Sequence, residues 1–252
     1  MVKRKGFEFK QFFIEHGHCA MKVGTDSIML GSWARVAGAK HILDVGTGSG
    51  VLALMLAQRS ADDSRITGID IDAAAIHQAR SNGQCCPWTT RLDFSRISLQ
   101  DFVPTDKFDL IVSNPPYFPV YGRSGDEIRP GAELVSQQQR QTARQTGALS
   151  HEQLLENVAA LLDENGRFVC VLPAQNSEDA VDYAAQFGLQ CHRRLLVSAR
   201  PEGKIIRHLL EFGRYSLISD ADVKVEHLHI YQQAEQYSPA YISLCKDYYL
   251  KF

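Results

Sequence analysis

No stretch of this chain approaches the roughly eighteen consecutive apolar residues that a membrane-spanning helix needs. The basic start, Met1-Val2-Lys3-Arg4-Lys5, runs into mixed polar and aromatic residues instead of the apolar core of a signal peptide. Cysteine is scarce: six residues (Cys19, Cys85, Cys86, Cys170, Cys191 and Cys245) show no C-x-x-C spacing, which excludes a disulfide framework. A reduced, cytoplasmic protein is expected, with no membrane partner. Metal-ligand spacing is missing as well. His16 and His18 stand near Cys19, but no second ligand pair follows at zinc spacing, so the trio reads as a short loop and no metal is expected. A surplus of positive charge is also lacking. Lys and Arg number 27 against 29 Asp and Glu, a net charge of −2, which excludes a surface coated for nucleic acid but leaves room for local patches. Internal repeats and low-complexity segments are absent.

What is present is an ordinary globular composition, 44% hydrophobic and 22% charged over 252 residues. A chain of that length buries one good core, so one domain with small elaborations is expected; the protein is expected to act as a monomer. The positive charges are unevenly placed. Residues 1–22 carry Lys3, Arg4, Lys5, Lys10 and Lys22 against Glu8 and Glu15, and residues 193–207 carry Arg193, Arg194, Arg200, Lys204 and Arg207 against Glu202. Taken alone, such clusters are as often solvated faces as binding surfaces.

From residue 40 onward apolar strands alternate with helical patterns. Strands are predicted at His41–Val45, Ile66–Ile71, within Arg91–Leu99, at Phe108–Ser113 and Arg167–Leu172, and helices at Ser49–Arg59, Ala73–Asn82, His151–Leu162 and Ser177–Phe187. Two last strands, near Leu189–Val197 and Ile205–Phe212, leave no room for a helix between them and form a hairpin. The expected fold class is therefore α/β, a Rossmann-like, seven-stranded, mostly parallel sheet closed by an antiparallel C-terminal hairpin strand. Residues 1–39 form an N-terminal extension, 40–215 the core, and 216–252 a C-terminal strand and helix extension packed on it. A long polar insertion, 118–149, follows the fourth strand at the carboxyl edge, where open α/β sheets bind ligands.

Two motifs carry the chemistry. Asp44-Val45-Gly46-Thr47-Gly48-Ser49-Gly50 lies where the first strand turns into the first helix. Glycines there let the backbone approach a ligand and adopt positive φ. The competing dinucleotide fingerprint is G-x-G-x-x-G around a pyrophosphate. Here the spacing is G-x-G-x-G behind an acid, which repels a pyrophosphate and suits a cationic ligand carrying an amine. Asp70 ends the second strand, where a carboxylate can accept two ribose hydroxyls; its alternative role as a helix cap is filled at least as well by Asp72.

The second motif, Asn114-Pro115-Pro116-Tyr117, follows the fourth strand directly. Prolines often end strands, but this placement also answers a chemical problem. The nitrogen of an amide or aromatic amine is planar, and its delocalised lone pair is a poor nucleophile. The Asn114 carboxamide oxygen and the Pro115 carbonyl can accept its two N–H bonds, aim the lone pair at an electrophile and drain charge as it builds. Pro116 stiffens the turn, and Tyr117 can stack on a flat substrate.

Together the motifs resemble class I Rossmann-like methyltransferases of the N-P-P-Y branch, which includes adenine-N6, guanine-N2 and release-factor glutamine methyltransferases. Within that branch the chain bears a closer resemblance to the bacterial tRNA1(Val) (adenine(37)-N6)-methyltransferases. That likeness rests on Met21-Lys22-Val23-Gly24-Thr25-Asp26-Ser27, on Arg200-Pro201-Glu202-Gly203, and on Tyr237-Ser238-Pro239-Ala240-Tyr241 running to Asp247-Tyr248-Tyr249-Leu250. The resemblance implies S-adenosyl-L-methionine as cofactor and tRNA as partner. It places Lys22, Gly24, Thr25 and Asp26 over the cofactor's methionine end, beside Asp44, Gly46, Thr47, Gly48, Gly50, Asp70, Ile71 and Asn114. Many relatives hold the cofactor's adenine with an acid after the third strand. The aligned slot here is Ser98, with Asp101 shortly after. Lys3, Arg4, Lys5, Lys10, Arg140, Arg144, Arg200, Lys204 and Arg207 become candidates to grip RNA around a flipped-out base. Guanine-N2 methylation of rRNA, glutamine methylation of a release factor and an inactive cofactor-binding scaffold are the rival readings. The release-factor enzymes carry a longer helical domain before the core than the 39 residues found here, and a scaffold has no use for two amine acceptors.

Overall fold

The computed structural model describes residues 5–17, 23–115, 149–214, 223–233 and 235–252. Within them the chain opens with a hairpin, β1 (Gly6–Glu8) and β2 (Phe13–Glu15), followed by helix α1 (Thr25–Trp33). The alternating units come next: β3 (His41–Val45), α2 (Val51–Arg59), β4 (Arg65–Asp70), α3 (Ala73–Gln84), β5 (Leu92–Arg96) and β6 (Phe108–Ser113). After the insertion come α4 (His151–Leu161), β7 (Leu162–Pro173), α5 (Ser177–Gln186), β8 (Leu189–Ser198) and β9 (Ile205–Arg214). The C-terminal segment adds β10 (Lys224–His229), β11 (Tyr231–Gln233), β12 (Gln236–Tyr237) and α6 (Pro239–Cys245).

The main sheet has the order β10-β8-β9-β7-β6-β3-β4-β5. Only β9 runs against its neighbours, β7 and β8; every other pairing is parallel. All seven anticipated strands are present, and β10 adds an eighth beside β8. Its sequence, Lys224-Val225-Glu226-His227-Leu228-His229, buries only Leu228 among its apolar side chains. A charged edge strand of this kind blocks further pairing and carries no apolar run to read.

Parallel strands are buried on both faces, so successive residues serve different cores. Ile42, Leu110, Val112, Val169 and Val171 pack with α1, α2 and α3 on one face, while Leu43, Val45, Ile111, Phe168 and Cys170 pack with α4 and α5 on the other. Helix α1 was not anticipated, and burial explains why. Ser27 through Trp33 are all buried, so the helix has no polar stripe to contrast with an apolar one. Gly31 sits so tightly on α2 that an added Cβ would lie 2.8 Å from the Met55 side chain. The Arg59 guanidinium donates to the carbonyls of Gly31, Ser32 and Ala34 at 2.7–3.0 Å, satisfying acceptors that a helix end otherwise leaves open.

The two ends of the chain are joined. Phe7 and Phe9 meet Tyr249 and Tyr248, and Phe9 bridges to Tyr249 through its backbone. The Lys10 ammonium donates to the carbonyls of Lys246 at 2.6 Å and Phe252 at 2.8 Å. Among the described residues no helix is long and apolar enough to cross a membrane.

Candidate active site

The strand order reverses between β3 and β6, and open α/β sheets bind ligands at such a crevice. Val45 pairs with Ser113, and Asp70 with Arg96, so the ends of β3, β6, β4 and β5 form one rim. The Ser113 hydroxyl donates to the Val45 carbonyl at 2.9 Å and locks the two central strand ends together.

Gly46, Gly48 and Gly50 all adopt positive φ, at 71°, 55° and 83°. At Gly46 and Gly48 nothing lies within 4 Å of an added Cβ, so the loop leaves open space above its backbone. A side chain there would strain the turn by about 1–2 kcal/mol. The N–H groups of Gly46 and Thr47 donate to the Ile69 carbonyl at 2.9 and 3.0 Å, tying the loop to β4.

Asp44 is fully buried beneath this turn. Its Oδ2 accepts from the Thr47 hydroxyl at 2.7 Å and the Ala53 N–H at 3.1 Å, while its Oδ1 has no partner among the described residues. Burial pushes its carboxyl up to about 7, against the lowering effect of those two donors. A buried carboxylate oxygen with an open acceptor position, next to an open glycine cradle, fits a ligand that brings a positive charge. Asp70 is half-buried and accepts from Gly48 N–H at 3.0 Å on one oxygen and Asp72 N–H at 2.9 Å on the other. Each oxygen keeps a lone pair for a hydroxyl donor. Asp72 caps α3 by accepting from Ala74 N–H at 2.8 Å, so the cap does not need Asp70. Ile71, 48% exposed, offers a flat apolar surface beside it. Ser98 and Asp101 bond each other, with the Ser98 hydroxyl donating to Asp101 at 2.6 Å and Asp101 N–H returning to Ser98 Oγ at 3.1 Å. The Ile97 N–H donates to the Asp70 carbonyl at 3.0 Å, which brings that turn to the same end of the groove.

Asn114 and Pro115 leave β6 at the centre of the rim. The Asn114 amide nitrogen donates to the Ser27 hydroxyl of α1 at 2.9 Å, so its carbonyl oxygen faces away from that helix. Gly24, Thr25 and Asp26 begin the same helix, which brings this anticipated segment to the rim. Lys22, Pro116 and Tyr117 lie outside the described residues. Two residues given no role from sequence contribute here. Ser27 closes the Met21–Ser27 stretch that carried the family likeness, but nothing in it pointed to Asn114. Asn82 carried no local signal: it is a buried α3 side chain that donates to the carbonyls of Ser49 and Glu15, both at 2.9 Å, and so links the glycine turn to β2.

The basic residues divide into distinct groups. Lys3, Arg4, Arg140 and Arg144 lie outside the described residues, and Lys5 is exposed. Lys10 holds the C-terminal carbonyls. Arg200 and Lys204 are exposed on the β8–β9 turn, at the carboxyl edge of the sheet. Arg207 sits deeper, its Nε donating to Asp26 at 2.9 Å, so an expected RNA contact and an expected cofactor contact bind each other. The rest of the 193–207 cluster faces inward. Arg193 stacks on Trp33 at 3.8 Å and, with Arg35, pairs with fully buried Glu211, while Arg194 pairs with Glu178 at 2.7 Å.

Comparison with known proteins agrees with this arrangement. Residues 37–237 match the family model described as a methyltransferase domain. The tRNA1(Val) (adenine(37)-N6)-methyltransferase of Pseudoalteromonas atlantica is 44% identical, with all of both chains covered. Its namesake from Bacteroides thetaiotaomicron is 41% identical over 97% of each chain. Among solved structures, a predicted O-methyltransferase from Agrobacterium tumefaciens superposes with a TM-score of 0.61 at 15% identity, over 88% of this chain and 96% of that one, which speaks to the fold alone. With the domain matched across most of its length and relatives matched end to end, the chain belongs to the tRNA1(Val) (adenine(37)-N6)-methyltransferase family.

Proposed function

We propose that this protein transfers the methyl group of S-adenosylmethionine to the exocyclic N6 of adenine 37 in tRNA1(Val), the reaction named for its relatives. The observation that carries the reading is the placement of Asn114 and Pro115 on the rim, beside the glycine turn, with the Asn114 amide nitrogen turned to Ser27 and its oxygen left to accept. When bound, the cofactor supplies an electrophilic methyl group on a sulfonium. Asp44 would take its ammonium on Oδ1, the turn from Gly46 to Gly50 would line its backbone side, and Asp70 would accept from its ribose hydroxyls. Ile71 and the Ser98–Asp101 turn would flank its adenine, and Lys22 with Gly24 to Asp26 would close over its methionine end.

The target amine donates one N–H to Asn114 Oδ1 and the other to the Pro115 carbonyl. Its lone pair is then forced out of conjugation and toward the methyl, and the acceptors meet charge that grows only in the transition state. No side-chain base is required, because the nitrogen's proton becomes acidic once the methyl has transferred. Tyr117 stacks on the flipped base. Arg200 and Lys204, with Lys3, Arg4, Lys5, Arg140 and Arg144, supply cations for the backbone phosphates. The extensions 1–39 and 216–252 frame the 40–215 core in a monomer working in the cytoplasm.

Nucleoside mass spectrometry tests the reading, applied to unmodified tRNA1(Val) treated with the wild type and with Asn114→Ala. N6-methyladenosine at adenine 37 is expected with the wild type. Asn114→Ala is expected to keep its cofactor affinity and lose on the order of a hundredfold in turnover. A methylated guanine, or wild-type turnover in Asn114→Ala, would overturn it.

A further inference from the structure

We infer that Ser27 is a positioning residue for methyl transfer, its hydroxyl fixing the plane of the Asn114 carboxamide so that Oδ1 meets the target amine. The inference rests on the reading of Asn114 as the amine acceptor. An asparagine amide turns about its last torsion in a broad, roughly two-fold well. Only one of the two half-turns presents an oxygen to the substrate. The other presents an N–H to an N–H, which repels the amine and leaves growing charge without a partner. The strand end just before Asn114 is held, since the Ser113 hydroxyl donates to the Val45 carbonyl at 2.9 Å. What remains to be set is the Asn114 side chain, and among the described residues its amide nitrogen donates to Ser27 Oγ at 2.9 Å, which leaves Oδ1 as the atom turned away from α1.

Ser27 is suited to the task because it is itself held. It is 9% exposed and stands in the first turn of α1. The preceding residue, Asp26, is paired with Arg207 of β9 at 2.9 Å, and the far end of the helix is bonded by the Arg59 guanidinium. The helix is therefore anchored at both ends, and Ser27 offers a fixed point from which to hold a rotatable group. A side chain outside the core fold thus completes the geometry of a residue inside it.

Single-turnover methylation of unmodified tRNA1(Val), read with cofactor affinity and thermal midpoint, decides the matter through a double-mutant cycle. Ser27→Ala is expected to slow turnover about tenfold, the loss typical of one oriented hydrogen bond, with cofactor affinity and thermal midpoint close to wild type. In the Asn114→Ala background the same substitution should change the rate less than about twofold, because Ser27 acts only through Asn114. Ser27→Thr, which keeps the hydroxyl, should run faster than Ser27→Ala. An equal loss in both backgrounds, or a fall in cofactor affinity as large as the fall in rate, would overturn the inference by giving Ser27 a merely structural role. Wild-type turnover in Ser27→Ala beside a crippled Asn114→Ala would overturn it too, and would leave the reading of Asn114 intact. Wild-type turnover in Asn114→Ala would instead strike at that reading itself.

Discussion

If Asp44 takes the cofactor's ammonium as proposed, lowering the pH from 8 to 6 should turn cofactor binding into a proton-releasing reaction, because the ammonium would need Asp44 charged and the fold holds it close to half-charged at neutrality. Its carboxyl is pushed from 3.8 to about 7, chiefly by complete burial, with the Thr47 hydroxyl and the Ala53 N–H opposing the rise and Asp70 adding to it. That displacement disfavours the charged form by on the order of 4 kcal/mol. With a value near 7, Asp44 is about nine-tenths protonated at pH 6 and about one-tenth at pH 8. Binding should then release about 0.9 proton at pH 6 and about 0.1 at pH 8, and affinity should fall about tenfold between them. Titration calorimetry in two buffers of different ionisation enthalpy reads the protons directly. An α-amino group titrates near pH 8 by itself, so affinities are best taken as a ratio to Asp44→Asn, in which that contribution is common. Stability carries the opposite sign. The folded state holds the extra proton between pH 3.8 and about 7, so Asp44 destabilises the cofactor-free protein increasingly as pH rises through that window. Asp44→Asn should accordingly melt higher than wild type at pH 8 and lose more than half of that advantage by pH 5. Equal proton release in the two proteins, with a flat affinity ratio, would refute the assignment of the ammonium to Asp44.

Asp70→Ala should weaken cofactor binding at least about tenfold by calorimetry, the loss of one good charged hydrogen bond. Replacing Arg200 and Lys204 together by alanine should reduce the salt dependence of tRNA affinity by about 1.5 in the log–log slope, at about 0.7–0.9 per phosphate contact. Arg207→Ala should leave that slope unchanged, because its guanidinium is engaged with Asp26, and should instead slow turnover by loosening the start of α1. Glu211→Ala should lower stability in urea denaturation by about 3–5 kcal/mol, since it leaves the largely buried Arg193 without its carboxylate.

The sequence alone determined the elements whose signals are local. β6 was anticipated to the residue, because Phe108–Ser113 is an apolar run ended by the Asn114–Pro115 turn, and β3 was anticipated because an apolar run meets glycines. Asp44, the glycines and Asp70 were legible for the same reason: a strand end, a turn and a carboxylate are properties of a few neighbouring residues. The fates of the charges were not. Arg193, Arg207 and Lys10 look alike in a count of cations, yet one stacks on Trp33, one pairs with Asp26, and one closes the C terminus. Helix α1 escaped because burial on every side erases the periodicity that marks a surface helix; a strand was expected within 216–252, but not its pairing with β8 as an eighth strand, because an edge strand carries little apolar signal. Ser27 meets Asn114 across 87 positions of sequence, and only the packing of α1 against the strand ends brings them to 2.9 Å. Local chemistry marked the candidate site residues, whereas their orientation is set by contacts distant in the chain, which only the folded structure specifies.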